Sequence, residues 1–147
     1  MRSHTTCLYN TENYIRGGKR GGILLNPEGY VDQTFAWGLG RRTNNEAEWL
    51  ALIQGLHLLH NLKTHRVLIF WDSRHVIYKM INGYPSGSIK SHQLHGKAKL
   101  LMSNSYEIYH ILRQNNTAAD SMDNVGASLP QGLISQNGAQ PSLNPIP

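Results

Sequence analysis

The sequence is poor in cysteine and in acidic residues, and it has no long apolar run. A single cysteine, Cys7, excludes an internal disulfide and a zinc site built from several cysteines. Nine acidic residues stand against fourteen basic ones, so the net charge of +5 comes from scarcity of acid. No stretch resembles a signal peptide or a membrane span. We therefore expect a soluble, intracellular protein in a reducing compartment, either cytoplasmic or nuclear, with no membrane partner.

Length and composition fit one domain with a tail. The 147 residues are 39% hydrophobic and 16% charged, which is ordinary for a soluble fold with a proper core. From Pro130 onward the chain is rich in Gly, Gln, Asn, Ser and Pro, which predicts a flexible tail or linker over residues 130–147. We assign the domain to residues 1–129 and expect it to be monomeric. Because a predicted strand follows Met1 closely, we also expect it to be cut from a longer polypeptide.

Hydrophobic periodicity and turn signals predict the order βββαβααβα, which is a mixed α/β class. The first three strands are expected to form an antiparallel meander, because Asn26-Pro27-Glu28-Gly29 is a turn signal between the second and the third. The predicted strands are residues 4–10, a second starting at residue 23, 30–39, 66–71 and 106–112. The predicted helices run from about 43 to 62, 73 to 81, 89 to 102 and 117 to 129.

One unbroken apolar run, residues 67–71, ends in Asp72 and Ser73. Such a run predicts a strand buried on both faces in the middle of a sheet. Ligand and metal sites of open α/β sheets gather at the carboxyl ends of their strands, so Asp72 is a candidate site residue. The alternative is that Asp72 and Ser73 only cap the next helix, which both residue types favour.

A second candidate acid opens the first predicted helix. Thr43 and Glu46 have the spacing of a capping box, and Trp49, Leu52 and Leu56 follow at helical spacing as an apolar face. Glu48 is one residue before that face. We expect its carboxylate to face the sheet.

Four stretches carry a family resemblance that extends over about residues 4–129. In order and spacing they resemble the type 1 ribonuclease H family, especially the domains of retroelement reverse transcriptases and their plant relatives. The resemblance implies a ribonuclease H-like α/β fold with a five-stranded mixed sheet, made of the meander plus two parallel strands, and helices on both faces. The stretches are residues 22–29, 43–52, 72–73 and 113–120.

By resemblance, the family hydrolyses the RNA strand of RNA/DNA hybrids with two Mg²⁺ or Mn²⁺ ions held by four carboxylates. Such ions prefer oxygen ligands, and a pair of them can activate water and stabilise the leaving oxyanion. Glu48, Asp72 and Asp120 match three of the four positions, and each is implied to be both catalytic and metal-binding. Each acid alone would be interpreted as a solvated or helix-capping residue. Because the three acids lie on the three elements that the family uses, we expect their carboxylates to converge at one site.

The fourth position departs from the family pattern. Where the first strand of the family ends in Asp-Gly, this sequence has Asn10, which offers a carbonyl oxygen without charge. We expect Asn10 to bind metal weakly and activity to be reduced, unless Glu12 substitutes for it. Arg113 matches a residue that assists catalysis near the last helix, and its alternative role is a surface cation. Asp123, one turn beyond Asp120, is either an outer residue of the site or a solvated acid.

The implied substrate contacts come from short polar residues and basic side chains. Asn44 and Asn45 resemble the family's contacts to the RNA strand, together with Thr43, Ser73 and Gly21. The 2′-hydroxyls of a hybrid lie in a wide, shallow groove that such groups can reach. Basic residues would add attraction to phosphates without sequence preference: Lys19, Arg20, Arg41 and Arg42.

Three functions compete. The first is a metal-dependent endonuclease for RNA/DNA hybrids, attached to a reverse transcriptase polymerase domain and attenuated at Asn10. The second is a catalytically inactive, nucleic-acid-binding or scaffolding domain of a retroelement polyprotein, which Asn10 favours. The third is a 3′ to 5′ exonuclease on the same fold, which residues 44–48 disfavour because their Asn-Asn-Glu-Ala-Glu signature is typical of the hybrid-cutting branch.

Overall fold

The computed structural model describes residues 12–62, 66–83, 88–103 and 105–146. The side chains of residues 12–14, 62, 113 and 118–120 are outside this description. The strands are β1 (Glu12–Gly17), β2 (Gly21–Leu25), β3 (Val31–Trp37), β4 (Arg66–Trp71), β5 (Tyr106–His110), β6 (Leu133–Gln136) and β7 (Ser142–Leu143). The helices are α1 (Asn44–Leu62), α2 (Arg74–Asn82), α3 (Ile89–Leu101) and α4 (Thr117–Ser128), with a 3₁₀ turn at Arg113–Asn115.

The seven strands of the described ranges belong to one mixed sheet in the order β5-β4-β1-β2-β3-β6-β7. The strands β1, β2 and β3 form the antiparallel meander, while β4 lies parallel to both β1 and β5. The mixed α/β class is therefore confirmed. The predicted number of five strands is wrong, because β6 pairs with β3 and β7 pairs with β6, which gives a seven-stranded sheet.

The two extra strands come from the segment that composition predicts to be a tail. Ile134 of β6 is 4% exposed and belongs to the hydrophobic core. The indole nitrogen of Trp37 donates to the carbonyl of Asn144 at 2.9 Å, which fixes the end of the segment against β3. Pairing with an available strand edge orders this stretch despite its polar, proline-containing sequence.

The first described strand also differs from the prediction. The expected strand at residues 4–10 lies outside the described residues, and β1 occupies residues 12–17 instead. Its sequence, ENYIRG, has no clear alternation of apolar residues, but β1 is central in the sheet and pairs with β2 on one side and β4 on the other. Tertiary pairing outweighs weak local preference here.

The helices cover both faces of the sheet. Gly55 of α1 lies against Ile15 and the ring of Trp71, which form one face of the core. Met122 of α4 lies against Gly21 of β2. Successive residues of a strand point to opposite faces of the sheet, so Gly21 faces away from Leu24, which pairs with Ile15 on the other face. None of the helices in the described ranges is long and apolar enough to cross a membrane.

Candidate active site

Asp72 lies where the sequence predicts, directly after the last residue of β4. It is half-buried, and its backbone N–H donates to the carbonyl of Gly17 at 3.1 Å. Ser73 is the N-cap of α2, since its hydroxyl accepts a hydrogen bond from the N–H of Val76 at 3.2 Å. The capping role therefore belongs to Ser73, which is 4% exposed, and not to Asp72.

Gly18, the first residue after β1, lies next to Asp72. Gly17 is paired with Trp71 across β1 and β4, so Gly18 follows at the level of Asp72. A Cβ atom at Gly18 would lie 2.7 Å from each carboxylate oxygen of Asp72. The first strand therefore approaches Asp72 with bare backbone, and the next residues, Lys19 and Arg20, are basic rather than acidic.

A residue that the sequence analysis did not single out completes this corner. Asn116 is 1% exposed, and its side-chain amide donates to the carbonyl of Gly17 at 3.0 Å and to Oδ2 of Asp72 at 3.2 Å. Its Oδ1 is buried without a hydrogen-bond partner among the described atoms. The signal that could have found it is its place four residues before Asp120, at the start of the predicted last helix.

Glu48 is in the first turns of α1, between the buried residues Ala47 and Trp49, and it is itself only 9% exposed. The start of this helix is held by the predicted pair of Thr43 and Glu46. The hydroxyl of Thr43 accepts from the N–H of Glu46 at 3.2 Å, and the same hydroxyl, rather than the backbone N–H of a standard capping box, donates to the carboxylate of Glu46 at 3.0 Å. A buried carboxylate is favoured near a helix N-terminus by the positive end of the helix dipole.

One buried and one half-buried histidine support the helix that carries Glu48. The ring of Trp49 stacks on His95 with centroids 4.9 Å apart and meets His75 edge-on at 6.3 Å. Burial lowers the pKa of His95, and electrostatic repulsion from Lys99, His92 and Lys79 lowers it further, against a backbone hydrogen bond at Lys79 that raises it. Burial and then Lys79 likewise lower the pKa of His75. Both rings are therefore favoured in the neutral form, as packing partners of the tryptophan.

The predicted nucleic-acid contacts separate into exposed and buried residues. Thr43, Asn44 and Asn45 are exposed at the start of α1, where a ligand can reach them. Gly21 is buried instead, and a Cβ there would lie 2.6 Å from the carbonyl of Phe35 and 2.8 Å from Cβ of Met122. Gly21 therefore permits close packing of β3 and α4, a role different from the contact predicted for it.

The basic residues are also not equivalent. The guanidinium of Arg20 pairs with the carboxylate of Asp123 at 3.0 Å, and both side chains are mostly buried. Arg20 has a positive φ of 58° and its turn lies against Gly126 of α4. Arg42 donates to the carbonyl of Leu39 at 3.2 Å, whereas Arg41 is exposed. Asp123 thus ties α4 to the turn between β1 and β2.

Other predicted site residues cannot be placed by their side chains. Asn10 lies outside the described residues, and so do the side chains of Arg113 and Asp120. The backbone puts Arg113 at the start of the 3₁₀ turn and Asp120 in the first turns of α4, one turn beyond Asn116. Their roles stay predictions.

The oxygen ligands among the described residues are of the type that a hard divalent cation prefers, but they are too few to hold one. Glu48 and Asp72 offer carboxylate oxygens and Asn116 offers an unpartnered buried amide oxygen, which are the ligand types that Mg²⁺ and Mn²⁺ prefer. Among the described residues no three acidic, histidine or cysteine side chains form a cluster that could hold a metal ion. A metal centre here therefore needs a further ligand from the residues whose side chains are not described.

Comparison with solved structures defines the class of protein. The fold resembles the N-terminal RNase H domain of a Mycobacterium tuberculosis protein, solved as a fusion with maltose-binding protein, at 25% identity over 79% of this chain and 93% of that chain, with a TM-score of 0.71. It resembles LC11-RNase H1, which was isolated from compost and solved with an RNA/DNA hybrid, at 23% identity over 79% and 95% of the two chains, with a TM-score of 0.68.

Part of a viral protease-reverse transcriptase has a similar fold. The protease-reverse transcriptase of foamy virus in complex with an RNA/DNA hybrid matches at 19% identity over 80% of this chain and 20% of that chain, with a TM-score of 0.59. The chain thus has a ribonuclease H-like fold. Residues 9–125 match the reverse transcriptase-like family, and the chain belongs to that family. Comparison with curated proteins gives no match.

Proposed function

We propose that this chain is a ribonuclease H, an endonuclease that hydrolyses the RNA strand of RNA/DNA hybrids with divalent metal ions, and that its activity is attenuated. One observation supports this most. Asn116 opens α4 and hydrogen-bonds Asp72 at the end of β4, so the first turns of the helix that carries Asp120 lie beside the predicted catalytic strand. Two of the three predicted acidic elements are therefore adjacent.

In this proposal Glu48, Asp72 and Asp120 hold two Mg²⁺ or Mn²⁺ ions. Neither Asn10 nor Glu12 serves as the expected fourth ligand, because Glu12 pairs with Arg66 at the end of β4 opposite to Asp72, and Asn10 comes two residues before Glu12. The chemistry that such ions supply when bound is activation of water and stabilisation of the leaving oxygen. The role of the chain is to hold its carboxylates in ionised form and in fixed orientation. Arg113, at the 3₁₀ turn before α4, would contact the phosphate to be cleaved.

We expect reduced catalytic activity because the first-strand side of the site lacks an acidic ligand. Gly18 lies beside Asp72 and contributes no ligand, and no acid occurs between Asn13 and Pro27. Fewer carboxylates lower the affinity for a second divalent ion. We expect Mn²⁺ to support more activity than Mg²⁺, because Mg²⁺ tolerates departures from ideal coordination less well.

Substrate binding would use the exposed start of α1. Thr43, Asn44 and Asn45 present short polar side chains that can contact the 2′-hydroxyls of the RNA strand. Ser73 is buried, so we propose that it helps by holding the start of α2. Arg41 is exposed and free to approach phosphate without reading sequence. The domain would receive its hybrid from an attached reverse transcriptase polymerase domain.

The test is cleavage of a labelled RNA/DNA hybrid in Mg²⁺ and in Mn²⁺. The parent chain should cut slowly, and Asp72→Asn and Glu48→Gln should abolish cutting. Asp32→Asn is the matched control, because Asp32 is an exposed acid of β3 and its loss should leave cleavage unchanged.

The second candidate is an inactive binding or scaffolding domain. The basic residues Lys19 and Arg20, which directly follow Gly18 at the site, favour it over a working four-carboxylate centre. In that case neither metal supports cleavage by the parent chain, while a hybrid still binds and Asn45→Ala weakens the binding. Cleavage that persists in Asp72→Asn would refute our assignment of the site.

A further inference from the structure

Asn116 joins the ends of two strands at the candidate site. Its amide nitrogen donates to the carbonyl of Gly17 at 3.0 Å and to Oδ2 of Asp72 at 3.2 Å. Gly17 ends β1, Asp72 follows β4, and Asn116 itself precedes α4. A single side chain thus connects three segments of the chain at one corner of the sheet.

The chemistry of the two partners fixes the orientation of the amide. A backbone carbonyl and a carboxylate are both acceptors, so only the NH₂ end of the asparagine can face them. A carboxylate or an alkyl side chain at position 116 could not make either bond. The need for a donor with two protons explains the amide at this position.

The side chain of Asn116 is not used to cap its own helix. Asparagine is among the preferred N-cap residues because its oxygen accepts from the N–H groups of the first turn. Asn116 occupies the N-cap position of α4, yet it makes no side-chain capping bond there. Its amide instead donates to Gly17 and Asp72, and the residue is only 1% exposed.

The orientation of Asp72 needs such a restraint. Gly18 contributes only backbone against the carboxylate, whose oxygens would be 2.7 Å from a Cβ atom there, so no side chain at position 18 helps to orient Asp72. A hydrogen bond donated to Oδ2 selects one rotamer of the Asp72 side chain, and the remaining lone pairs of the carboxylate point away from Asn116. Partners of this kind orient metal-binding carboxylates in other proteins, and their loss typically lowers activity or metal affinity by about 10- to 100-fold.

We propose that Asn116 is a positioning residue that orients the carboxylate of Asp72 by tying it to the end of β1. This inference rests on the proposed hydrolytic function for its kinetic consequence, but the tie itself is testable without any activity. Asn116 acts through Asp72 and does not contact substrate in this proposal.

The kinetic test compares Asn116→Ala with Asn115→Ala, in which the exposed neighbour is truncated. For hybrid cleavage we expect Asn116→Ala to lower kcat about 10- to 100-fold with KM within about twofold of the parent. Asn115→Ala should change neither constant by more than about twofold. Asn116→Asp keeps the shape and the capping ability but cannot donate, so it should lose kcat at least as strongly. Parental kcat in Asn116→Ala would overturn the proposal.

The second test is a double-mutant cycle on the melting temperature, using Asn116→Ala, Asp72→Ala and the double variant. Residues that share a hydrogen bond give non-additive effects, whereas independent residues add. We expect the shifts of Asn116→Ala and Asp72→Ala to be non-additive, and those of Asn115→Ala and Asp72→Ala to be additive. If the parent chain fails to cleave hybrids, the proposed function fails while this cycle still decides the tie. Additive shifts for Asn116 and Asp72 would overturn it.

Discussion

Gly18 and Asp72 are in such close contact that a Cβ atom on Gly18 would lie 2.7 Å from both carboxylate oxygens. This distance is shorter than non-bonded carbon and oxygen atoms tolerate, so a side chain at position 18 must displace the carboxylate. The carboxylate is in turn restrained by the amide of Asn116. The site at the end of β4 is therefore shaped by the absence of a side chain on the neighbouring strand.

Gly18→Ala should accordingly impair cleavage of RNA/DNA hybrids without unfolding the chain. Displacement of a catalytic group by about 1 Å can lower a rate about 100-fold, so we expect a fall of between about 10- and 100-fold in kcat. The control is Gly96→Ala, since a Cβ at this exposed helical glycine would meet nothing within 4 Å. That control should stabilise the fold by about 0.5–1 kcal/mol and leave kcat unchanged. Equal rates for both variants would contradict the contact.

The segment after residue 130 should contribute to stability. Ile134 is 4% exposed in the core, and Ile134→Ala should lower the free energy of unfolding by about 2–4 kcal/mol. Leu143→Ala is the matched control, because Leu143 is 75% exposed and its truncation should stay within about 0.5 kcal/mol. Urea unfolding followed by tryptophan fluorescence measures both. Deletion of residues 130–147 should lower the midpoint further; an unchanged midpoint would instead support an independent domain that ends at residue 129.

Acidification should destabilise the packing around Trp49. Burial lowers the pKa of His95 in the folded state, so between its folded and unfolded pKa values the unfolded chain binds more protons. Stability is then lost as pH falls below the unfolded value near 6.5, by at most about 1.4 kcal/mol per pH unit for each such histidine. Urea midpoints at pH 8 and pH 5.5 measure this loss. His95→Phe should reduce the difference between the two midpoints, whereas His57→Phe, at an exposed position of α1, should leave it unchanged.

The ion pair of Arg20 and Asp123 should act on structure rather than on chemistry. Its atoms are 3.0 Å apart, and partial burial weakens screening by salt, so Asp123→Asn should lower the free energy of unfolding by about 1 kcal/mol. Hybrid cleavage should stay within about twofold of the parent rate. A large loss of cleavage with unchanged stability would instead indicate that Asp123 takes part in the site.

Local sequence was sufficient to predict the elements that have a strong hydrophobic or capping pattern. The apolar run before Asp72 predicted β4, and the capping box at Thr43 and Glu46 predicted the start of α1, because both depend on neighbours in the chain. The meander and the mixed sheet followed from the order of these elements. Asp72 as the candidate site residue likewise followed from its place at the end of a buried strand.

Other features were decided by contacts between distant parts of the chain. The strand β1 lacks a strong pattern and exists because β2 and β4 pair with it on either side. The segment after Pro130 has a composition typical of a tail, yet β6 finds the free edge of β3 and buries Ile134.

The same division applies to the candidate site. Glu48 and Asp72 were identified as candidates from the sequence, because the resemblance to the ribonuclease H family implies carboxylates on these elements. That Gly18 lies against Asp72, and that Asn116 donates to it, depends on strand register and on where α4 begins. Sequence determined which groups are available, and tertiary structure determined their neighbours, because hydrogen bonds and close packing act over a few ångströms in space whatever the separation along the chain.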